Sequence, residues 1–265
     1  MRFEKILFFF YAALPVSIIL RLVQINFIID DKTGFFKHEF RTFGVAVLVL
    51  IFAVAIIFSV FAFLSHRSPE QPPKSNIFLS FTSFLAAFSL FLENFVMIPN
   101  YTVSNFQLIF LNITALIAIL FFLIFGFNHF FDYSFPNLCF VFPCVYFIMK
   151  IIFEFVVVSA LAVISENTLF ITALCSLMTF FLQFAKLYNK TDKEYNFRKL
   201  LASGSVSVLF CFVQSIPFFI HGFMNGFENT HTNVFTNITL FVMGCFVLTF
   251  LSLHYSQKNA YSNNQ

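Results

Sequence analysis

Lys150 and Glu154 stand four residues apart inside an apolar run, a spacing that sets an ammonium and a carboxylate on one face of a helix. Five more polar groups lie in similar surroundings: Arg21 and Gln24, then Glu93, then Gln214 and His221. In lipid, an ionised side chain at mid-bilayer costs about 2.5–3.5 kcal/mol even on a lenient scale, so such groups must face one another, water or headgroups. Two uses are open to them. They can line a polar chamber that holds a small solute, an ion or a lipid headgroup. Alternatively they form structural pairs, Lys150 with Glu154 and Arg21 with Glu93, or Arg21 reaches the surface along its own alkyl stem.

Catalytic patterns are missing. There is no G-x-x-x-x-G-K-[ST], no G-x-S-x-G, no H-E-x-x-H and no paired-acid metal cluster. The sequence therefore offers no catalytic residue, no cofactor site and no metal site, and the expectation is a protein that is not an enzyme. Ser203-Gly204-Ser205 has no histidine at matching depth to serve as a base, and suits close helix packing. His129 and His254 fall at segment ends, where no ligand is expected. Seven glycines are few for a transporter with unwound binding helices.

The elements that carry these groups are long and apolar. Hydrophobic residues make up 60% of the chain and charged residues 10%, with a mean hydropathy of +0.89. A soluble domain has about 25% charged residues. Nucleic acid is not an expected partner; a lipid bilayer is. A spanning helix needs about 20 mostly apolar residues. Eight candidates meet that need, near 6–29, 43–64, 77–99, 106–127, 139–164, 168–187, 200–224 and 234–253. Barrel strands would be about half that length and alternating. The expected architecture is thus an all-α transmembrane bundle forming one domain over 1–258, with a short polar tail at 259–265.

Met1–Leu20 has a basic start but no small-x-small cleavage site, and stays apolar to Ile29, so it reads as the first span. Forty-eight Phe and no Trp read as filler and lipid-facing bulk, leaving Tyr101, Tyr133, Tyr188 and Tyr255 for the interfacial aromatic role. The five cysteines show no disulfide or zinc spacing and read as core.

Lys and Arg in the connections set the orientation. With the N-terminus in the cytoplasm, ten basic residues fall inside and only Lys32, Lys37 and Arg41 outside, which favours both termini inside. On that frame Arg21 and Glu93 lie at about 9–12 Å depth, close enough to pair, and Lys150 lies near the midplane. Pro217 should kink the seventh helix and free a carbonyl near residue 213. Asp30–Phe36 reads as a turn feeding an amphipathic or re-entrant piece. Ser65–Asn76, with Pro69, Pro72 and Pro73, reads as a stiff connector, and basic Tyr188–Lys199 as a lipid anchor.

A spacing of 125 residues relates Asn112-Ile113-Thr114 to Asn237-Ile238-Thr239, and Arg21 corresponds to Lys150 with a small shift. A four-plus-four duplication would put both halves in the same orientation.

Arg21-x-x-Gln24, followed by Asp30-Asp31-Lys32-Thr33-Gly34-Phe35-Phe36, resembles the opening of uncharacterised multi-pass membrane proteins of clostridial-type bacteria. The resemblance covers about 20 residues. It implies a bacterial cytoplasmic-membrane location and transfers no site residue. Two functions are compatible with this chain: binding or transport of a small solute, ion or lipid headgroup at the odd-numbered helices, or a non-catalytic membrane module that associates with another subunit.

Overall fold

A computed structural model describes residues 3–30, 35–63, 76–96, 105–131, 137–158, 164–189, 196–227 and 233–262. They form eight α-helices: α1 Phe3–Val23, α2 Arg41–Phe63, α3 Ile77–Phe91, α4 Asn105–Phe131, α5 Phe142–Val158, α6 Ile164–Asn189, α7 Asn196–Asn225 and α8 Val234–Ser262. Seven helical stretches are long and apolar enough to cross a membrane; the described apolar part of the first, Ala12–Ile28, is shorter. No strand occurs among the described residues, only an isolated bridge between Ile29 and Phe36.

Six helices close a ring. α3 packs on α4, α4 on α5, α5 on α6, α6 on α7, α7 on α8, and α8 back on α3. α1 and α2 lean on α7. Consecutive helices run antiparallel, as the crossings show: Ser80 meets Gly126 while Ser83 meets Phe122, and Phe10 meets Phe58 while Gln24 meets Gly44. α7, contacted by four helices, is buried on every side from Ser207 to Ser215. A helix apolar all round needs such a place.

Small residues set the close approaches. Ser80 and Ser83 of α3 donate to the carbonyls of Gly126 and Phe122 of α4, each at 2.6 Å. A Cβ on Gly126 would stand 2.9 Å from the Phe84 ring. At Gly204 it would stand 2.9 Å from Leu251 and 3.1 Å from Phe180, so the Ser203-Gly204-Ser205 run packs α7 between α6 and α8. Without a hydrophobic driving force in lipid, such backbone-close contacts hold helices together.

Phenylalanine has two places. Phe122, Phe125, Phe147, Phe181, Phe184 and Phe246 are buried and meet ring to ring across α4, α5, α6 and α8. Phe78, Phe81, Phe155 and others point outward, as expected of lipid-facing bulk. Tyr188 lies at the end of α6 and stacks on Phe140 at 4.0 Å, inside the aromatic cluster.

Some boundaries differ from expectation. α8 continues to Ser262, so most of the expected polar tail is helix. α5 is described from Phe142 to Val158, with Lys150 at its centre, eight residues or about 12 Å from either end. Asp30–Phe36 is closed by backbone bonds, Asp30 N to Phe35 O and Lys37 N to Ile28 O, leading through the 3-10 turn His38–Phe40 into α2. α7 runs on through Pro217. The proline connector at 64–75 and most of the basic connection, at 190–195, lie outside the described residues, as do Tyr101 and Tyr133.

The helix neighbours do not follow the two-fold that a four-plus-four duplication implies. It would mirror the α3–α8 packing as α7–α4, and α2–α7 as α6–α3. Neither is among the substantial contacts of the described residues. Thr114 of the first Asn-Ile-Thr bonds within its own helix, whereas Thr239 also reaches Ser89 O of α3 at 3.3 Å.

Candidate functional site

The seven polar residues named from sequence form separate groups. Lys150 Nζ lies 3.0 Å from Glu154 Oε1, the expected turn-to-turn pair on α5. It lies equally close, 3.0 Å, to Glu93 Oε1 from α3. Lys150 and Glu154 are 7% exposed and Glu93 6%. Glu93 therefore pairs with Lys150, not with Arg21. Depth along a helix does not fix which neighbour a side chain faces, and Glu93 faces Lys150 of α5.

Two neighbours complete this cluster. Asn94 Nδ2 donates to Leu90 O at 2.9 Å and to Tyr146 Oη at 3.2 Å. Tyr146, Lys150 and Glu154 are spaced by four along α5, so phenol, ammonium and carboxylate share one face. The Lys150 ammonium also stands 6.0 Å from the centre of the Phe153 ring. Beside this, Gln107 and Phe110 of α4 with Met149, Ile152, Phe153 and Val156 of α5 line an open apolar groove.

Arg21 is 1% exposed and donates to Gln24 Oε1, while Gln24 Nε2 donates to Gly44 O of α2 at 2.8 Å. A Cβ on Gly44 would come within 2.7 Å of the Phe36 ring and 3.0 Å of Ile28, so the absence of a side chain lets both pack against α2 beside this bond. Farther along, His221 Nδ1 meets Asn26 Oδ1 at 2.9 Å, and Asn225 Nδ2 at 3.1 Å. Gln214, 3% exposed, has its amide oxygen without a hydrogen-bond partner among the described residues. His129 is buried, with Nδ1 at 3.1 Å from Phe125 O.

Both main groups are placed by the same device. α1 and α3 each end in a π-turn, Gln24–Ile28 and Leu92–Val96. A π-turn inserts a residue and swings the following side chains round the axis; such turns are rare and gather at functional sites. Each holds Asn-Phe followed by a β-branched residue, Asn26-Phe27-Ile28 and Asn94-Phe95-Val96. In each, the asparagine reaches another odd-numbered helix, to His221 of α7 or to Tyr146 of α5. Sequence reasoning passed over Asn26, Asn94, Tyr146 and Asn225. The repeated Asn-Phe and the Tyr-x-x-x-Lys-x-x-x-Glu spacing were the signals available.

Among the described residues no three His, Cys, Asp or Glu side chains gather as a metal site. The five cysteines are free thiols, two of them buried. Fold and polar groups together define a class: an apolar helical bundle compatible with an integral membrane protein, with ionisable groups held inside it. No protein-family model, curated protein or solved structure matches the chain.

Proposed function

We propose that this is a multi-pass protein of the cell membrane, in a bacterial cytoplasmic membrane, with eight spans and both termini in the cytoplasm. It binds or transports a small solute, ion or lipid headgroup at Glu93, Lys150 and Glu154, and catalyses no reaction. One observation carries this reading: an ammonium and two carboxylates from non-adjacent helices meet at 3.0 Å in the interior of an apolar bundle. A buried ion pair is weak as a source of stability and is often matched by apolar residues. Ionisable groups inside membrane segments mark solute and ion pathways. The basic-residue count supports the orientation, and the clostridial resemblance of Arg21–Phe36 supports the location.

A second reading has its own support. Lys150 is satisfied within its helix by Glu154, which is what a non-catalytic subunit with structural pairs requires. The two separate on water access. In a cysteine-free chain, Glu154→Cys is exposed to a membrane-impermeant cationic thiosulfonate added to either side of sealed vesicles. The binding reading expects labelling from the outer side alone. A thiol sealed from both sides leaves the structural subunit.

A further inference from the structure

The charges of this cluster do not balance. Lys150 brings one positive charge and the two glutamates bring two negative ones. Lysine touches Oε1 of each carboxylate, and neither carboxylate has another ionic or hydrogen-bond partner among the described residues. Among the described residues no other protein cation fills the gap. Arg21 is bonded to Gln24 and to neither carboxylate. On the packed neighbours, α4 carries no ionisable side chain before His129, α8 only Cys245 between Val234 and Leu253, and α6 only Cys175 between Asn167 and Ala185. A net charge left in an apolar interior is strongly unfavourable unless compensated.

Tyr146 adds an independent sign. Leu90 O can only accept, so the Asn94 atom beside it is the amide nitrogen, and the same nitrogen donates to Tyr146 Oη. The phenol oxygen is thus an acceptor here, and its own proton has no acceptor among the described residues. Tyr146 is 1% exposed and one turn from Lys150 on the same face. A buried hydroxyl proton needs an oxygen.

Taking the cluster as a binding site, we propose that its ligand is a single monovalent cation, an alkali-metal ion or a proton. The free Oε2 atoms of Glu93 and Glu154 receive it, and Tyr146 donates to a water that accompanies it. One positive charge restores neutrality; a divalent ion would overshoot.

The test is thermal unfolding of the full chain in detergent. One arm titrates sodium, potassium and lithium chloride against choline chloride at constant ionic strength and mildly alkaline pH. The other lowers pH in choline alone. A ligand that binds the folded state raises the melting temperature saturably. The expected result is such a rise with one alkali ion, or with acid alone if the cation is a proton. Glu93→Gln and Glu154→Gln, each with a balanced cluster, should melt independently of the cation. Tyr146→Phe should weaken its affinity several-fold. Should the glutamine variants not fold, Lys150→Gln, with the imbalance doubled, must depend on the cation more steeply than wild type. Melting that ignores every alkali ion and pH, or glutamine variants that respond as wild type does, overturns the proposal. Outer labelling of Glu154→Cys with cation-indifferent melting overturns the cation alone; cation-dependent melting with a sealed thiol overturns water access alone.

Discussion

Removing Lys150 does more than delete a contact, because two carboxylates stay behind it in an apolar interior. Breaking one side of a buried ion pair costs about 3–5 kcal/mol, mostly from the charge left uncompensated. Lys150→Met should therefore lower the unfolding free energy by about that amount, and adding Glu93→Gln with Glu154→Gln should recover most of it. Thermal unfolding of the single and triple variants in one detergent checks this; a triple no better than the single would mean that lysine packing matters more than its charge. Gln214 runs the other way. Its amide oxygen is buried without a partner among the described residues, and an unsatisfied buried polar group costs about 1–3 kcal/mol. Gln214→Leu should raise stability by that order in the same assay, and a loss would show the amide engaged. At this scale the Lys150–Glu154 pair was legible, since four residues on a helix fix it locally. The Glu93 partner was not, because depth counted along an apolar run does not say which neighbouring helix a side chain faces.

Helices announce themselves in this chain by length and apolarity, so all eight were legible to within a few residues at most ends. Their π-turns were not. A π-turn differs from α-helix by one inserted residue, and Gln24–Ile28 and Leu92–Val96 keep the apolar pattern a continuous helix would show. Yet those turns aim Asn26 at His221 and Asn94 at Tyr146. Helix pairing was equally hidden, since it rests on single small residues. Gly126 lies under Phe84 and its carbonyl takes the Ser80 hydroxyl. Gly126→Val should force α3 from α4 and cost about 1–3 kcal/mol, the usual range for overpacking. Ile113→Val on the exposed face of the same helix should be close to neutral. Equal melting points for the two would deny that the α3–α4 contact is tight.

As a whole molecule, the ring of α3 to α8 explains why so many phenylalanines are compatible with one ordered structure. The same residue type has two surroundings: an apolar outer face compatible with lipid, and other phenyl rings inside the ring. Composition could not divide the 48 between these places, because lipid and core both select apolar bulk and the helical pattern loses its polar face. Packing can. Phe181 is fully buried and meets Phe122, Phe147, Phe180, Phe184 and Phe246. Phe78 is 69% exposed. Truncating a buried Phe costs about 3–5 kcal/mol through lost contacts and the cavity left behind. Phe181→Ala should fall in that range, while Phe78→Ala, which leaves lipid tails to fill the space, should change the unfolding free energy by less than about 0.5 kcal/mol. The same two variants bear on the ion cluster. Phe147, stacked on Phe181 at 5.4 Å, lies one turn before Ile151 on α5, beside Tyr146 and on the side of Lys150 away from Glu154. If that phenyl layer is the barrier on the cytoplasmic side of the proposed topology, loosening it with Phe181→Ala should let the impermeant thiosulfonate reach Glu154→Cys from the inner side as well. Labelling confined to the outer side in that double variant would place the barrier elsewhere.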